Sequence, residues 1–203
     1  MSGIDYQSGQ VTKQDLQRLE RYVQQVARVA LGSPNGVVDT IPKATAHQAI
    51  TITGTNATFV TYFVPIQDQT VTSVTVFCST VDVTPTADKQ IAICSVGGVT
   101  DNSTLTILGT SAASLPVYTL GANTIALTTP VVLAAGQQYA FVIKGIAATA
   151  AAVSGLAAAA NTSLFSSAQR LGVLVSSTLA FGAVGTTLSV GNAAGPMIFA
   201  RLS

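Results

Sequence analysis

Between Thr12 and Leu31 the apolar residues recur at Leu16, Leu19, Val23, Val26 and Ala30. The spacings alternate three and four, which is the a/d seam of a heptad. Tyr22 and Val29 widen the seam, and Gln14, Gln17, Arg18, Arg21, Gln24, Gln25 and Arg28 occupy the other faces. Thr12 with Asp15 resembles a capping box with Asp in place of Glu, so the pattern predicts a helix from about Lys13 to Leu31. Gly32 stops it and Pro34 prevents its continuation. The seam residues Leu16, Leu19, Tyr22, Val23, Val26 and Ala30 are the expected oligomerisation contacts of a short coiled-coil stalk, and its width suits three strands better than two. An amphipathic helix lying on its own domain is the competing reading, because two and a half heptads are few for a coiled coil.

From about Gln48 the period becomes two. Short β-branched runs at 48–53, 57–66, 71–83, 89–97, 104–109, 115–120, 123–128, 130–134, 138–146, 171–177 and 197–202 are separated by Gly, Pro, Asn or Asp turns. Such spacing without helical periods predicts an all-β sandwich. Residues 145–160 hold nine alanines. Alanine favours helix, but Gly145 and Gly155 favour an extended segment or loop packed closely by small residues. Such residues would let a neighbouring chain approach. The division is then a docking tail (1–10), the helix (11–31), a Pro- and Gly-bearing linker (32–47) and a β-sandwich domain (48–203).

Composition changes the picture. Charged residues are 8% of the 203-residue chain, about a third of ordinary usage, while hydrophobic residues are 48%. Nine of the seventeen charges lie in residues 1–43, and no acidic residue follows Asp101. A free monomer with so little surface charge has weak colloidal protection. Either other subunits cover much of the surface, or a Thr/Ser-rich skin keeps it wet. Both fit work inside a large assembly. The net charge of +1 supplies no basic field for nucleic acid or an anionic membrane. No stretch predicts a membrane span or a signal peptide.

Chemistry is sparse. His47 is the sole imidazole and Glu20 the sole glutamate, which argues against acid–base catalysis. Asp68, Asp82, Asp88 and Asp101 fall at predicted turns, where Asp ordinarily caps the backbone. A calcium site drawing on Asp82, Asp88 and Asp101 lacks any supporting spacing. Cys78 and Cys94 each sit in an apolar run, as buried free thiols or as a cross-strand disulfide. Tyr62, Tyr118 and Tyr139 fall within strand runs and are expected in the core, which weakens a sugar site. No cofactor and no metal are expected.

One stretch carries a resemblance. Residues 122–145 (ANTIALTTPVVLAAGQQYAFVIKG) run from a strand through Leu127, Thr128 and Pro130 to Leu133, Ala135, Gly136 and Tyr139. The chain closes on Pro196, Met197, Ile198, Phe199 and Ala200. With the hairpin at 71–97, this resembles the β-sandwich modules at the ends of tailed-bacteriophage fibre, spike and minor tail proteins. The resemblance implies a virion setting and carries no catalytic residue across. The expectation is a mainly β chain: a jelly-roll-like C-terminal β-sandwich preceded by a short N-terminal helix. It would act as a homotrimeric fibre or spike, anchored to other virion proteins by its N-terminus, with a knob for a host-surface glycan or protein. A capsid or tail decoration protein and a carbohydrate-binding module are the alternatives.

Overall fold

A strand with one buried side alternates strictly, whereas a strand buried on both sides reads as an unbroken apolar run. Both kinds occur here. The computed structural model describes residues 17, 19, 37–42, 46, 48–52, 57–81, 83–85, 89–97, 104–113, 115, 118–145, 147–149, 151–157, 172–175, 179–190, 193 and 195–203. The tail 1–10 lies outside them. So does the helix predicted over 13–31, apart from the exposed residues Gln17 and Leu19.

The strands are β1 (Val38–Asp39), β2 (Gln48–Thr51), β3 (Ala57–Phe63), β4 (Gln69–Thr80), β5 (Val83–Pro85), β6 (Gln90–Val96), β7 (Thr104–Thr110), β8 (Gly121–Leu133), β9 (Tyr139–Gly145), β10 (Ala147–Thr149), β11 (Ala152–Leu156), β12 (Gly172–Val175), β13 (Thr187–Ser189), β14 (Met197–Ile198) and β15 (Ala200–Leu202). The first sheet is built on β4, with β8 on one side and β15 and β11 on the other; β1, β2 and β14 extend it. The second sheet runs β12-β3-β9-β6-β7-β13. β5 and β10 form a separate ribbon. Every pairing is antiparallel, so the chain is mainly β with curled antiparallel sheets.

The sheets share one core. Val71, Val74, Val76, Ile125, Val153 and Leu202 come from the first sheet, and Phe59, Ile91, Ile93, Phe141 and Ile143 from the second. Each such side chain contributes roughly 1.5–3 kcal/mol relative to exposure. The alternation along β4 slips at the bulge between Val71 and Ser73, which resets the inward set to Val74, Val76 and Cys78.

The second sheet is buried on its far face as well. Val60, Tyr62, Ala92, Cys94, Leu105, Ile107, Ala140 and Val142 form a second cluster with Val173, Leu188 and Val190. Leu179 and Phe181 pack onto it. The chain thus leaves β12 at one edge of the sheet and reaches β13 at the other, laying apolar residues across the face between them. A turn completes the strap: Gly185, at φ +91°, donates its N–H to Ile107 O at 2.8 Å. The alternation rule missed β13, because three residues are too few to show a period.

The chain links the two sheets at two places. β8 leaves β4 at Leu127–Pro130 and bends toward β7, meeting it at a bridge between Leu127 and Ser111. Pro130 is tolerated there because the ladder with β4 is interrupted. At Gly109 on β7 an added Cβ would run into Val131 and the Thr129 carbonyl. At the other side the final strand changes partners at Phe199: Met197–Ile198 pairs with β11, and Ala200–Leu202 with β4 and β1. The switch would orphan main-chain groups. Thr61 of the second sheet accepts from Ile198 N at 2.8 Å, and Thr40 Oγ1 accepts from Ala200 N at 2.9 Å while donating to Ile198 O at 2.8 Å.

Two expectations are refined. Within the predicted linker, Val38–Asp39 forms β1 on β15, and Thr40 and Ile41 are buried. In the run 115–120 the described residues, 115 and 118–120, are not in a strand; the buried Leu115 and Tyr118 join the shared core. Where it is described, the alanine-rich segment is extended, as β10 and β11. Its small residues serve an approach within the chain: a Cβ on Gly155 would meet the Met197 carbonyl oxygen and Ile50.

Two stability outcomes follow. Gly155→Ala will lower the urea unfolding free energy by about 1–3 kcal/mol through overpacking. A chain beginning at Ala44 will be less stable than one beginning at Gly36 by on the order of 4 kcal/mol, since it loses the burial of Val38 and Ile41 together with the Thr40 bonds. Equal urea midpoints for the two truncations would show that β1 adds nothing.

Candidate interaction surfaces

The outward side of the first sheet is built from the alternate residues that face away from the core. On β4 these are Ser73, Thr75 and Phe77; Thr124 on β8 and Arg201 on β15 stand beside them in register. Hydroxyls pair across the strands: Thr75 with Thr124 at 2.9 Å and Ser73 with Ser203 at 2.8 Å. Such pairs hydrate a surface without charge. Beside them lies a small apolar cluster of Ile41, Met197 and Phe199, with Phe77 and Leu156 packed against it. The Phe77 and Phe199 rings lie 5.5 Å apart. Arg201 spans the cluster, its guanidinium 6.0 Å from the Phe77 ring centre. Its Nε and Nη2 donate to Asp39 Oδ1 and Oδ2 at 2.9 and 3.1 Å. The bidentate pair ties β1 to β15 and neutralises one of the few surface charges.

The two lysines among the described residues do not serve the surface. Lys89 is buried, with its ammonium 3.3 Å from the centre of the Tyr118 ring. Lys144 is buried on the opposite face of the second sheet, where it donates to Leu179 O at 3.0 Å and lies 5.1 Å from the Phe181 ring centre. It therefore fixes the strap at its start. Burial of two lysines removes further charge from a surface that had little.

At the end where β3 meets β4, the β8–β9 turn gives physical meaning to the sequence motif. Gly136 has φ +76°, which glycine adopts without strain, and donates to Pro65 O at 2.9 Å. Tyr139 OH accepts from Ala134 N at 2.9 Å, and Asp68 Oδ1 accepts from Ala135 N at 2.8 Å. Asp68 thus caps a turn, as its position suggested, though the turn belongs to a distant part of the chain. Val132, 71% exposed, stands beside this turn. Leu120, 68% exposed, stands at the opposite end of β8.

Of the expected oligomerisation residues, Leu16, Tyr22, Val23, Val26 and Ala30 lie outside the described residues. Leu19 is described and is half exposed within this single chain. His47, Glu20, Asp82, Asp88 and Asp101 also lie outside. Among the described residues no cluster of three His, Cys, Asp or Glu side chains is placed to hold a metal ion, and no helix is long and apolar enough to cross a membrane. Tyr62, Tyr118 and Tyr139 are buried, so none of the three tyrosines weighed for a sugar site offers a ring face to solvent. Comparison with protein-family models and with curated proteins finds no match.

Cys78 and Cys94 are both buried and neither forms a disulfide. They face different clusters, Cys78 the shared core and Cys94 the far side of the second sheet, which disposes of a cross-strand disulfide. Burial pushes the Cys94 thiol from its ordinary 9.0 up to about 12. Native protein will therefore leave a thiol reagent such as DTNB unconsumed at pH 8, and two thiols per chain will react in urea. The folded thiol stays neutral where an unfolded one ionises. Its stabilising contribution is complete below pH 9 and is lost as the pH climbs toward about 12. A folded chain that titrates rapidly at pH 8 would contradict this burial.

Proposed function

We propose that this chain is a structural protein of a tailed-bacteriophage virion. Its β unit is a jelly-roll-like sandwich that serves as a knob, carried on the N-terminal helix as a short trimeric stalk. Its work is adhesion between protein surfaces and toward a host surface, with no bond-making chemistry. The observation that carries this reading is the depletion of charge on the β unit. Charged residues are absent from Asn102 to Ile143, the two lysines of the β unit are buried, and Arg201 is neutralised by Asp39. A surface of hydroxyls and small apolar groups suits permanent contact with other subunits better than free life in solution. A trimer would present three weak sites together, gaining avidity without strong single contacts.

A second reading, a capsid or tail decoration protein, draws support from the long uncharged strand β8, which suits lateral contact with neighbours. Light scattering separates the ideas. Full-length protein at low micromolar concentration is expected to have the mass of three chains, and a chain beginning at Gly36, which keeps β1, to lose that trimer. A full-length monomer at high concentration would overturn the stalk. A trimer that survives the truncation would move the contacts to the β unit.

A further inference from the structure

We infer that the open edge of β8 is a pairing site for β8 of a second copy of this chain, joining two first sheets into one across a two-fold axis. The inference stands apart from the phage reading and does not use the helix.

The direction of the main chain fixes which groups are open. Ser203 N donates to Ser73 O at 3.0 Å and Ser73 N to Ser203 O at 2.8 Å, so the polar groups of Ser73 face the β15 side of β4. Along a strand these groups alternate. Those of Val74, Val76 and Cys78 therefore face β8, where they meet Ile125, Asn123 and Gly121. The main-chain groups of Ala122, Thr124 and Ala126 point the other way. Among the described residues those of Ala122 and Thr124 have no main-chain partner on that side, and the strand turns to β7 only at the Leu127 bridge.

Proteins blunt such edges by keeping them short, charging them or breaking them with proline. The other outer strands follow the first course: β1 has two residues, β2 and β12 four each, and β13 three. β8 has thirteen, and Pro130 comes after the open part. No charge guards it, because none occurs between Asn102 and Ile143.

The same features select the occupant. In an antiparallel two-fold register centred on Thr124, Thr124 faces its own copy and Ala122 faces Ala126, so outward main-chain groups meet over residues 122–126, up to the point where Ser111 takes the edge at Leu127. The seam carries Ala and Thr on the outward face and Asn123 opposite Ile125 on the inward face, with no charge among them, and cross-strand Thr pairs are favourable. A charged peptide would find no ion pair here.

The test uses full-length protein. Thr124→Cys, oxidised with copper–phenanthroline, is expected to give a covalent two-chain band on a non-reducing gel. The Cα separation of a hydrogen-bonded antiparallel pair, about 5.5 Å, suits a disulfide. Unsubstituted protein should stay single because Cys78 and Cys94 are buried. Thr124→Lys places like charges at the axis and should halve the limiting mass in light scattering at high concentration, whether the starting particle holds two chains or six. Absence of the covalent band overturns the inference even if the lysine variant fails to fold, and so does an unchanged mass in a folded lysine variant. Loss of the helical trimer alone leaves both readouts intact, which keeps this inference distinct from the stalk.

Discussion

A β-sheet satisfies its main-chain polar groups everywhere except at its edges, and the treatment of edges governs this structure. Unpaired N–H and C=O groups are costly when buried and adhesive when exposed. The molecule answers in three ways. The last strand changes partners at Phe199, and two threonine hydroxyls, Thr40 and Thr61, take up the groups that the change would strand. β8 bends at Leu127–Pro130 to lean on β7. The remaining outer strands are cut to between two and four residues. Among the described residues, what these devices leave open is the first half of β8.

Closure also explains why the two ends of the β unit meet. β1 pairs with β15, and the Asp39–Arg201 pair reinforces the contact. Residues that enter from the N-terminal side are therefore welded to the strand that closes the core.

The second sheet follows the opposite economy. Its central strands β3, β9 and β6 are buried on both faces and depend on the strap for cover. Lys144 holds the strap's start through the Leu179 carbonyl and the Phe181 ring. An ammonium buried in that setting is costly unless bonded, so the strap and the lysine require each other. The charge so hidden is missing from the surface.

The sequence alone determined the elements whose cause is local. Turn residues and β-branched runs marked β2, β3, β4, β6, β7, β8 and β9, and small residues around Gly155 signalled a close approach. Asp68 and Gly136 announced turns, because a carboxylate cap and a positive φ are local demands. The poverty of charge was also legible. Partner choice was not. Whether Gly155 faced its own chain or another, where Val38–Asp39 would pair, which face each cysteine would take and how three residues at 187–189 would cover an edge depended on contacts between residues far apart in sequence. A two-residue period states which side chains share a face and says nothing of what lies opposite that face. The tertiary structure decided this, because sheet pairing and packing are satisfied across the whole chain at once.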